Sequence, residues 1–194
     1  MTVFLSHLGH WGLAAMYGME AIGLPLPIEI PLWLSGQWIH TGTAIYWEMV
    51  FFTWLGSSAG NLTAFLIARL GGRPLLEALA HRLRMQAQVQ RMQGWIDRYG
   101  LWAVVFCRWI NWGYALSLWL TGFARLPASQ TLSVVLLNTA IWSMAWVALG
   151  RTLVGALHIA GLPGWFMLVP GAVMLVIMSL WRLWPKKRMT EGEA

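Results

Sequence analysis

Two glutamates and one arginine lie within apolar stretches of this chain, and they have the greatest capacity for chemistry. Glu20 and Glu29 are nine residues apart, with three prolines between or just after them. Arg108 lies in a second apolar stretch and is followed by Asn111 and Tyr114. A carboxylate takes up and releases protons, and the guanidinium fork of arginine binds carboxylate and phosphate oxygens. Because charged groups at membrane depth are costly, they indicate a functional pathway by default.

These residues support a functional hypothesis and a structural one. In the functional hypothesis, Arg108 binds an anionic group in a polar cavity. The other substrate-binding residues would be Glu29, Asn111 and Tyr114, and the proton-coupling residues Glu20 and Glu29. Burial raises the pKa of a carboxyl group and a nearby arginine lowers it, so a bound phosphate would link binding to protonation. In the structural hypothesis, a Glu–Arg pair only holds two segments together, or both glutamates lie in a surface loop. A buried ion pair is weak evidence for stability, which favours the functional hypothesis.

The sequence contains no recognisable catalytic or metal-binding set. No Ser–His–Asp arrangement, phosphate-binding loop or nucleophile motif is present. His7 and His10 are three residues apart on a predicted helix, but no third ligand accompanies them, and zinc sites use three or four protein ligands. We therefore expect no catalytic residues, no metal and no cofactor.

The composition indicates an integral membrane protein. Of the 194 residues, 58% are hydrophobic and 10% are charged, whereas soluble domains have about 25% charged residues. At roughly 20 residues per span, the length allows about five or six hydrophobic segments. We assign them to one membrane domain, residues 1–184, followed by a basic tail, residues 185–194. The formal net charge of +6 lies in loops beside apolar segments, which indicates membrane orientation and anionic headgroups rather than nucleic acid.

The first half of the chain predicts a broken helix and then a full span. Prolines interrupt the helix after Glu20, and the apolar helix that follows them is too short to cross about 30 Å of hydrocarbon. This pattern predicts a re-entrant hairpin over residues 20–39. A full span is predicted at residues 45–70, where five small residues, Gly56 to Gly60, are explained by close helix packing.

The composition changes abruptly after this span. Over residues 73–98, arginines alternate with apolar residues at helical spacing, which predicts an amphipathic helix on the membrane surface. Its basic residues include Arg73, Arg82, Arg84 and Arg91. The excess of arginine places this helix on the cytoplasmic side, and the same rule places the C-terminus there.

The second half repeats the order of the first. Residues 100–122 form another interrupted apolar segment, followed by spans at residues 132–149 and 162–183. With a cytoplasmic C-terminus, the two spans form a hairpin, so residues 100–122 start and end on the cytoplasmic side. The sequence therefore predicts an all-α polytopic membrane protein with two oppositely oriented re-entrant hairpins, each followed by a transmembrane helix. In such an inverted repeat, typical of secondary transporters, the site lies where the broken elements meet.

Several motifs, in this order and spacing, resemble the DedA family of membrane proteins, also called the SNARE-associated or VTT-domain family. The resemblance covers roughly residues 10–152. The motifs are Glu20-x4-Pro25-x-Pro27-x-Glu29, Gly56-x3-Gly60-Asn61, Phe106-x-Arg108, Thr121-Gly122-Phe123-Ala124-Arg125-Leu126-Pro127, and Asn138 with Ile141-Trp142. Three positions depart from the family pattern: Asn61 stands where an acidic residue is more usual, Asn111 where a proline is usual and Tyr114 where a second arginine is usual.

The resemblance implies that the chain handles lipids. Family members are implicated in moving phospholipids or undecaprenyl phosphate across the bacterial inner membrane, with dependence on the proton motive force. The expected partners are therefore a membrane phospholipid or polyprenyl phosphate, and protons. With one arginine of the usual pair replaced, a zwitterionic headgroup is as plausible as a phosphate monoester.

Three other functions remain open. A proton-coupled small-ion antiporter is the main alternative, and in that case the basic helix serves only to set topology. A membrane enzyme acting on lipid phosphates is disfavoured because no nucleophile–base set is present. A structural scaffold would tolerate substitution of all three charged residues, Glu20, Glu29 and Arg108.

Overall fold

The computed structural model describes residues 2–24, 26–82, 86–110, 114–123 and 126–163, together with Phe166 and Val169. Within these ranges the chain forms helices and no strand, as the composition predicts. The helices are α1 (Thr2–Ile22), α2 (Glu29–His40), α3 (Tyr46–Arg82), α4 (Gln86–Tyr99), α5 (Leu101–Ile110), α6 (Tyr114–Phe123) and α7 (Ala128–Ile159).

The chain breaks between α1 and α2, where the prolines predict it. The amide of Gly23 donates to the carbonyl of Glu20 at 2.9 Å, and Gly23 has a φ of 111°, a left-handed conformation that glycine adopts without strain. α2 then begins at Glu29, and Pro31 lies in its first turn, where the backbone amide needs no partner within the helix. The helix–break–helix order is thus observed, and the re-entrant insertion of residues 20–39 stays a prediction.

Two of the described helices are long and apolar enough to cross a membrane: Tyr46–Gly72 of α3 and Ala128–Ile159. The first agrees with the predicted span at residues 45–70. At Gly72 the helix is interrupted by a φ of 61° and a ψ of −163°, and α3 then continues to Arg82.

The predicted amphipathic segment, residues 73–98, is helical up to Arg82 and again throughout α4, with residues 83–85 outside the described part. α4 buries Val89, Met92 and Ile96, which recur at helical spacing. The amphipathic character of α4 is therefore confirmed.

The second span differs from its prediction. α7 has 32 residues and extends beyond both ends of the predicted segment 132–149, so the loop expected after Leu149 is wrong. Gly150 lies inside the helix and packs closely on α2. The helix stops instead at Gly161, which has a φ of 68° and precedes Pro163, a combination that ends helices.

The other predicted elements are partly described. The segment 100–122 forms α5 and α6, with residues 111–113 outside the described part. Of the predicted span 162–183, the structure describes only Leu162, Pro163, Phe166 and Val169. The tail, residues 185–194, lies outside it.

Small residues allow the helices to pack closely. A Cβ at Gly56 would overlap the carbonyl of Ala14, and one at Gly60 would overlap that of Gly18. α1 and α3 therefore pack almost backbone to backbone, as the packing interpretation of these glycines predicts.

The two broken elements pack across the molecule. α2 packs on α7, where Gly36 faces the backbone of Gly150, and the rings of His40 and His158 stack at 4.1 Å. α6 packs on α3, with Gly122 against Ala68. Thus α2 from the first half packs on the long helix α7 of the second half, and α6 from the second half packs on the long helix α3 of the first. This arrangement encloses an interior between α1, α3, α5 and α7.

Candidate functional site

Arg108 lies in the interior of the helix bundle. It follows Val104 by one turn of α5, and Val104 is completely buried, so the same face of α5 carries both side chains inward. Only 2% of Arg108 is exposed, and its guanidinium carbon lies 3.9 Å from the centroid of the Trp142 ring. A guanidinium over an indole face is stabilised by about 2 kcal/mol or more when desolvated. The cation is thus held in place by α7.

Glu20 lies close to this arginine. It is on α1, three residues after Tyr17, and it interacts electrostatically with both Arg108 and Tyr17. Its Oε2 is buried and makes no hydrogen bond within the described part of the chain. The structure therefore places Glu20 within electrostatic reach of Arg108, although the two are 88 residues apart in sequence. Both the functional and the structural hypothesis expect this proximity.

Aromatic side chains surround the two charged groups. Tyr17 is fully buried, and its ring meets that of Trp142 edge-on, with 6.1 Å between centroids and an interplanar angle of 86°. Trp142 in turn stacks on Trp146 at 5.1 Å. The Tyr17 hydroxyl faces Thr53 and Trp146 without reaching hydrogen-bond geometry with either.

The arrangement combines a cation, a buried carboxylate and polar atoms, the Tyr17 hydroxyl and Glu20 Oε2 among them, that have no hydrogen-bond partner in the described part of the chain. In a low-dielectric interior such atoms are costly unless a ligand or water satisfies them. Chemically, the site can bind an anionic group at Arg108 and hold or release a proton at Glu20.

Three other predicted site residues, Glu29, Asn111 and Tyr114, have no described contact with Glu20 or Arg108. Glu29 begins α2, is partly exposed, and is not among the groups that act on Glu20 or Tyr17. A carboxylate at a helix N-terminus is stabilised by the helix dipole, which gives Glu29 a local role. Asn111 lies outside the described residues, as does the side chain of Tyr114, the first residue of α6. The substrate-binding roles of these three residues stay predictions.

Sequence reasoning missed the aromatic side chains and Thr53. Trp142 and Trp146 are four residues apart on α7, and that spacing puts them on one face. Tyr17 precedes Glu20 by three residues, so it shares a face with the glutamate. These spacings were available signals, but tryptophan and tyrosine are common throughout an apolar helical protein.

The basic residues of the predicted surface helix lie at the other end of α3 and on α4. Arg82 and Arg91 are exposed. Arg73 is helical but its side chain is not described, and Arg84 lies outside the described part. Among the described residues, no group of three or more His, Cys, Asp or Glu side chains could hold a metal ion.

Known proteins resemble this chain along most of its length. Residues 26–152 match the VTT domain. The chain is 19% identical over 156 residues to the uncharacterized membrane protein YbfM of Bacillus subtilis, covering 80% of this chain and 96% of that protein. It is 27% identical over 152 residues to undecaprenyl phosphate transporter A of the same species, covering 77% and 74%.

A third relative has a different kind of name. The chain is 27% identical over 155 residues to an alkaline phosphatase-like protein of Lactococcus lactis, covering 77% of this chain and 72% of that protein. No solved structure matches the chain.

Proposed function

This chain belongs to the VTT domain family, and on that premise we propose that it is a membrane transporter of a phosphate-bearing lipid. The substrate is a phospholipid or a polyprenyl phosphate such as undecaprenyl phosphate. The similarity to undecaprenyl phosphate transporter A of Bacillus subtilis supports this class of substrate. Transport crosses the bacterial inner membrane in the manner of a flippase or scramblase.

One observation carries the proposal: the guanidinium of Arg108 is buried beside Glu20 inside a helical membrane protein. Trp142 contacts the cation through its ring face, and a guanidinium carries five N–H donors in a planar fork. Those donors match the oxygens of a phosphate. A lipid headgroup entering the interior would therefore find its counter-charge at Arg108, with Glu29, Asn111 and Tyr114 completing the substrate site.

Proton coupling is assigned to Glu20, with Glu29 as a second candidate. When an anionic headgroup binds Arg108, the arginine stabilises the Glu20 carboxylate less, so a proton binds there more readily. Release of the headgroup reverses this effect. Because binding and protonation are linked through Arg108, a pH gradient can drive transport.

The packing of the broken elements supports an inverted repeat. α2 packs on α7 and α6 packs on α3, as expected if two similar halves exchange their short helices about a central axis. Secondary transporters of this type bind substrate between the broken elements of the two halves. In this proposal α1–α2 and α5–α6 are the two re-entrant hairpins, inserted from opposite sides.

The orientation follows from the basic segment. The excess of arginine in residues 73–98, including the exposed Arg82 and Arg91 together with Arg73 and Arg84, supports a cytoplasmic position for this segment. The C-terminus lies on the same side.

The test is lipid translocation in proteoliposomes containing either a phospholipid or undecaprenyl phosphate, with and without a pH gradient. Wild type should move at least one of these lipids, and Arg108→Ala should lose most of that movement while inserting normally. Arg69→Ala is the matched control, because Arg69 donates to the carbonyl of Leu126 at 2.9 Å and takes no part in the site. Equal transport by Arg108→Ala and wild type would refute the proposal.

A proton-coupled small-ion antiporter remains the alternative. The same vesicles distinguish the two functions. Ion flux without lipid movement would identify the antiporter. Release of inorganic phosphate from the lipid would instead identify an enzyme.

A further inference from the structure

A row of polar side chains lies in the interface between α3 and α7. We call it the polar seam, and its members are Thr53, Ser57 and Asn61 of α3 and Thr139 and Ser143 of α7. Within each helix they are four residues apart and so share one face. Each is at most 1% exposed. The only hydrogen bond between described seam residues runs from Asn61 Nδ2 to Thr139 Oγ1 at 3.1 Å.

Most seam oxygens lack a protein partner. Within the described part of the chain no hydrogen bond reaches the oxygens of Thr53, Ser57, Ser143 and Asn61 Oδ1. Helical serine and threonine can donate to the carbonyl four residues back, and Thr63 of α3 and Thr152 of α7 do so at 2.8 Å. In the described chain, the hydroxyls of Thr53, Ser57 and Ser143 do not donate to such a carbonyl, although other residues of the same two helices do.

The seam adjoins the charged site. The Tyr17 hydroxyl faces Thr53, and the Tyr17 hydroxyl and Glu20 Oε2 are also buried without a hydrogen bond in the described chain. The seam and the charged site together therefore contain six buried oxygens without a hydrogen bond in the described chain. The charged and titratable groups facing Glu20 are Tyr17 from α1 and Arg108 from α5, and the seam residues themselves are uncharged.

The spacing of the seam suits water. Residues four apart on a helix are separated by about 6 Å along the axis, close to the length of two O–H···O hydrogen bonds of about 2.8 Å. One water molecule can therefore bridge each pair of successive hydroxyls. Buried waters typically make about three hydrogen bonds to polar groups that otherwise have none. A bound cation is disfavoured because Arg108 is near Glu20, the carboxylate next to the seam.

We propose that the polar seam holds a chain of ordered water molecules that conducts protons to and from the Glu20 carboxylate. This inference rests on the proposed proton-coupling role of Glu20. An excess proton enters at one end, each water passes one proton to the next, and the last transfer protonates Glu20. Release runs in reverse. Only Glu20 changes its protonation state, while the seam hydroxyls and Asn61 exchange hydrogen bonds.

X-ray radiolytic footprinting of the full-length wild-type protein tests whether water is present. Radiolysis of water bound beside a side chain generates hydroxyl radicals that oxidise it, even where bulk water has no access. Tyr17, 0% exposed, is the reporter, and Phe65, 2% exposed on α3, is the dry reference. Tyr17 should be oxidised several-fold faster than Phe65. Similar rates for the two rings would mean that the seam is dry, which overturns the proposal.

Two variants locate the water and test its role. Ser57→Val fills the seam with an apolar group and should lower oxidation of Tyr17 several-fold. Thr63→Val is the matched control, since the Thr63 hydroxyl bonds within its own helix, and should change nothing. Unchanged oxidation of Tyr17 in Ser57→Val would contradict the assignment of the water to the seam.

The functional readout is transport driven by a pH gradient in proteoliposomes. Ser57→Val should reduce gradient-driven transport several-fold and Thr63→Val should not. Loss of Tyr17 oxidation without loss of gradient-driven transport would overturn the proton pathway. If wild type moves no lipid, the proposed function fails, whereas oxidation of Tyr17 still decides whether the seam holds water.

Discussion

Glu20 and Arg108 should be energetically coupled, and a double-mutant cycle measures that coupling directly. The two changes are Glu20→Gln and Arg108→Met, which remove charge while keeping side-chain length. Both groups are largely buried, and they interact electrostatically. Each single substitution leaves one buried charge without its oppositely charged neighbour. The double substitution removes both charges, so neither is left alone.

The expected magnitudes follow from this burial. Removing one partner of a buried charged pair costs about 3–5 kcal/mol, and Arg108→Met also loses the contact with the Trp142 ring, worth about 2 kcal/mol when desolvated. For a chain of this size, 3 kcal/mol corresponds to a fall in Tm of roughly 6–12 °C. The double variant should be more stable than the sum of the single losses predicts, by at least about 1 kcal/mol.

The assay is unfolding of the purified protein in mixed micelles, followed by the intrinsic fluorescence of its 15 tryptophans. A parallel cycle with Glu20→Gln and Arg69→Met is the control, because Arg69 bonds to Leu126 and not to the site. That control should be additive within about 0.5 kcal/mol. If the Glu20–Arg108 cycle is equally additive, the two residues do not interact and the site as described is wrong.

Two further substitutions test the close packing of α1 on α3 and the contact of Arg108 with the Trp142 ring. Gly56→Val should destabilise the protein by about 1–3 kcal/mol, because a Cβ there overlaps the carbonyl of Ala14; Gly94→Ala, with no atom within 4 Å, should be neutral or stabilising in the same unfolding assay. Trp142→Leu removes the ring under Arg108 and should weaken lipid transport by about 30-fold, the equivalent of 2 kcal/mol. Trp142→Phe keeps an aromatic face and should lose less, and equal losses in the two variants would exclude a cation–π role.

Much of the helical framework was predictable because its signals are local. Proline removes a backbone donor wherever it stands, so the break after Glu20 needed no knowledge of the fold. The apolar spacing of Val89, Met92 and Ile96 likewise predicts which face of α4 is buried. The predicted span ended at residue 149, whereas α7 continues to Ile159, and Gly150 packs on α2 within the continuous helix.

The sequence predicted the charged residues of the site but not the aromatic and hydroxyl side chains around them. Charge at membrane depth singles out Glu20, Glu29 and Arg108 from sequence alone, because burying a charge costs free energy that needs an explanation, but it does not tell which glutamate lies near the arginine. Nothing comparable distinguishes Trp142 among 15 tryptophans, or Ser57 among the serines. Those residues acquire a role only through the way in which α7 packs on α3 and α5.

The sequence by itself thus determined the class of protein, the main places where helices break and three charged candidates for the site, Glu20, Glu29 and Arg108. Composition, proline and charge act locally, so their consequences are independent of the fold. Only the tertiary structure decided that Arg108 lies over Trp142 and beside Glu20, and that the hydroxyls of α3 and α7 face one another. Contacts between residues distant in sequence depend on the packing of whole helices, and a change in that packing would direct the same side chains elsewhere.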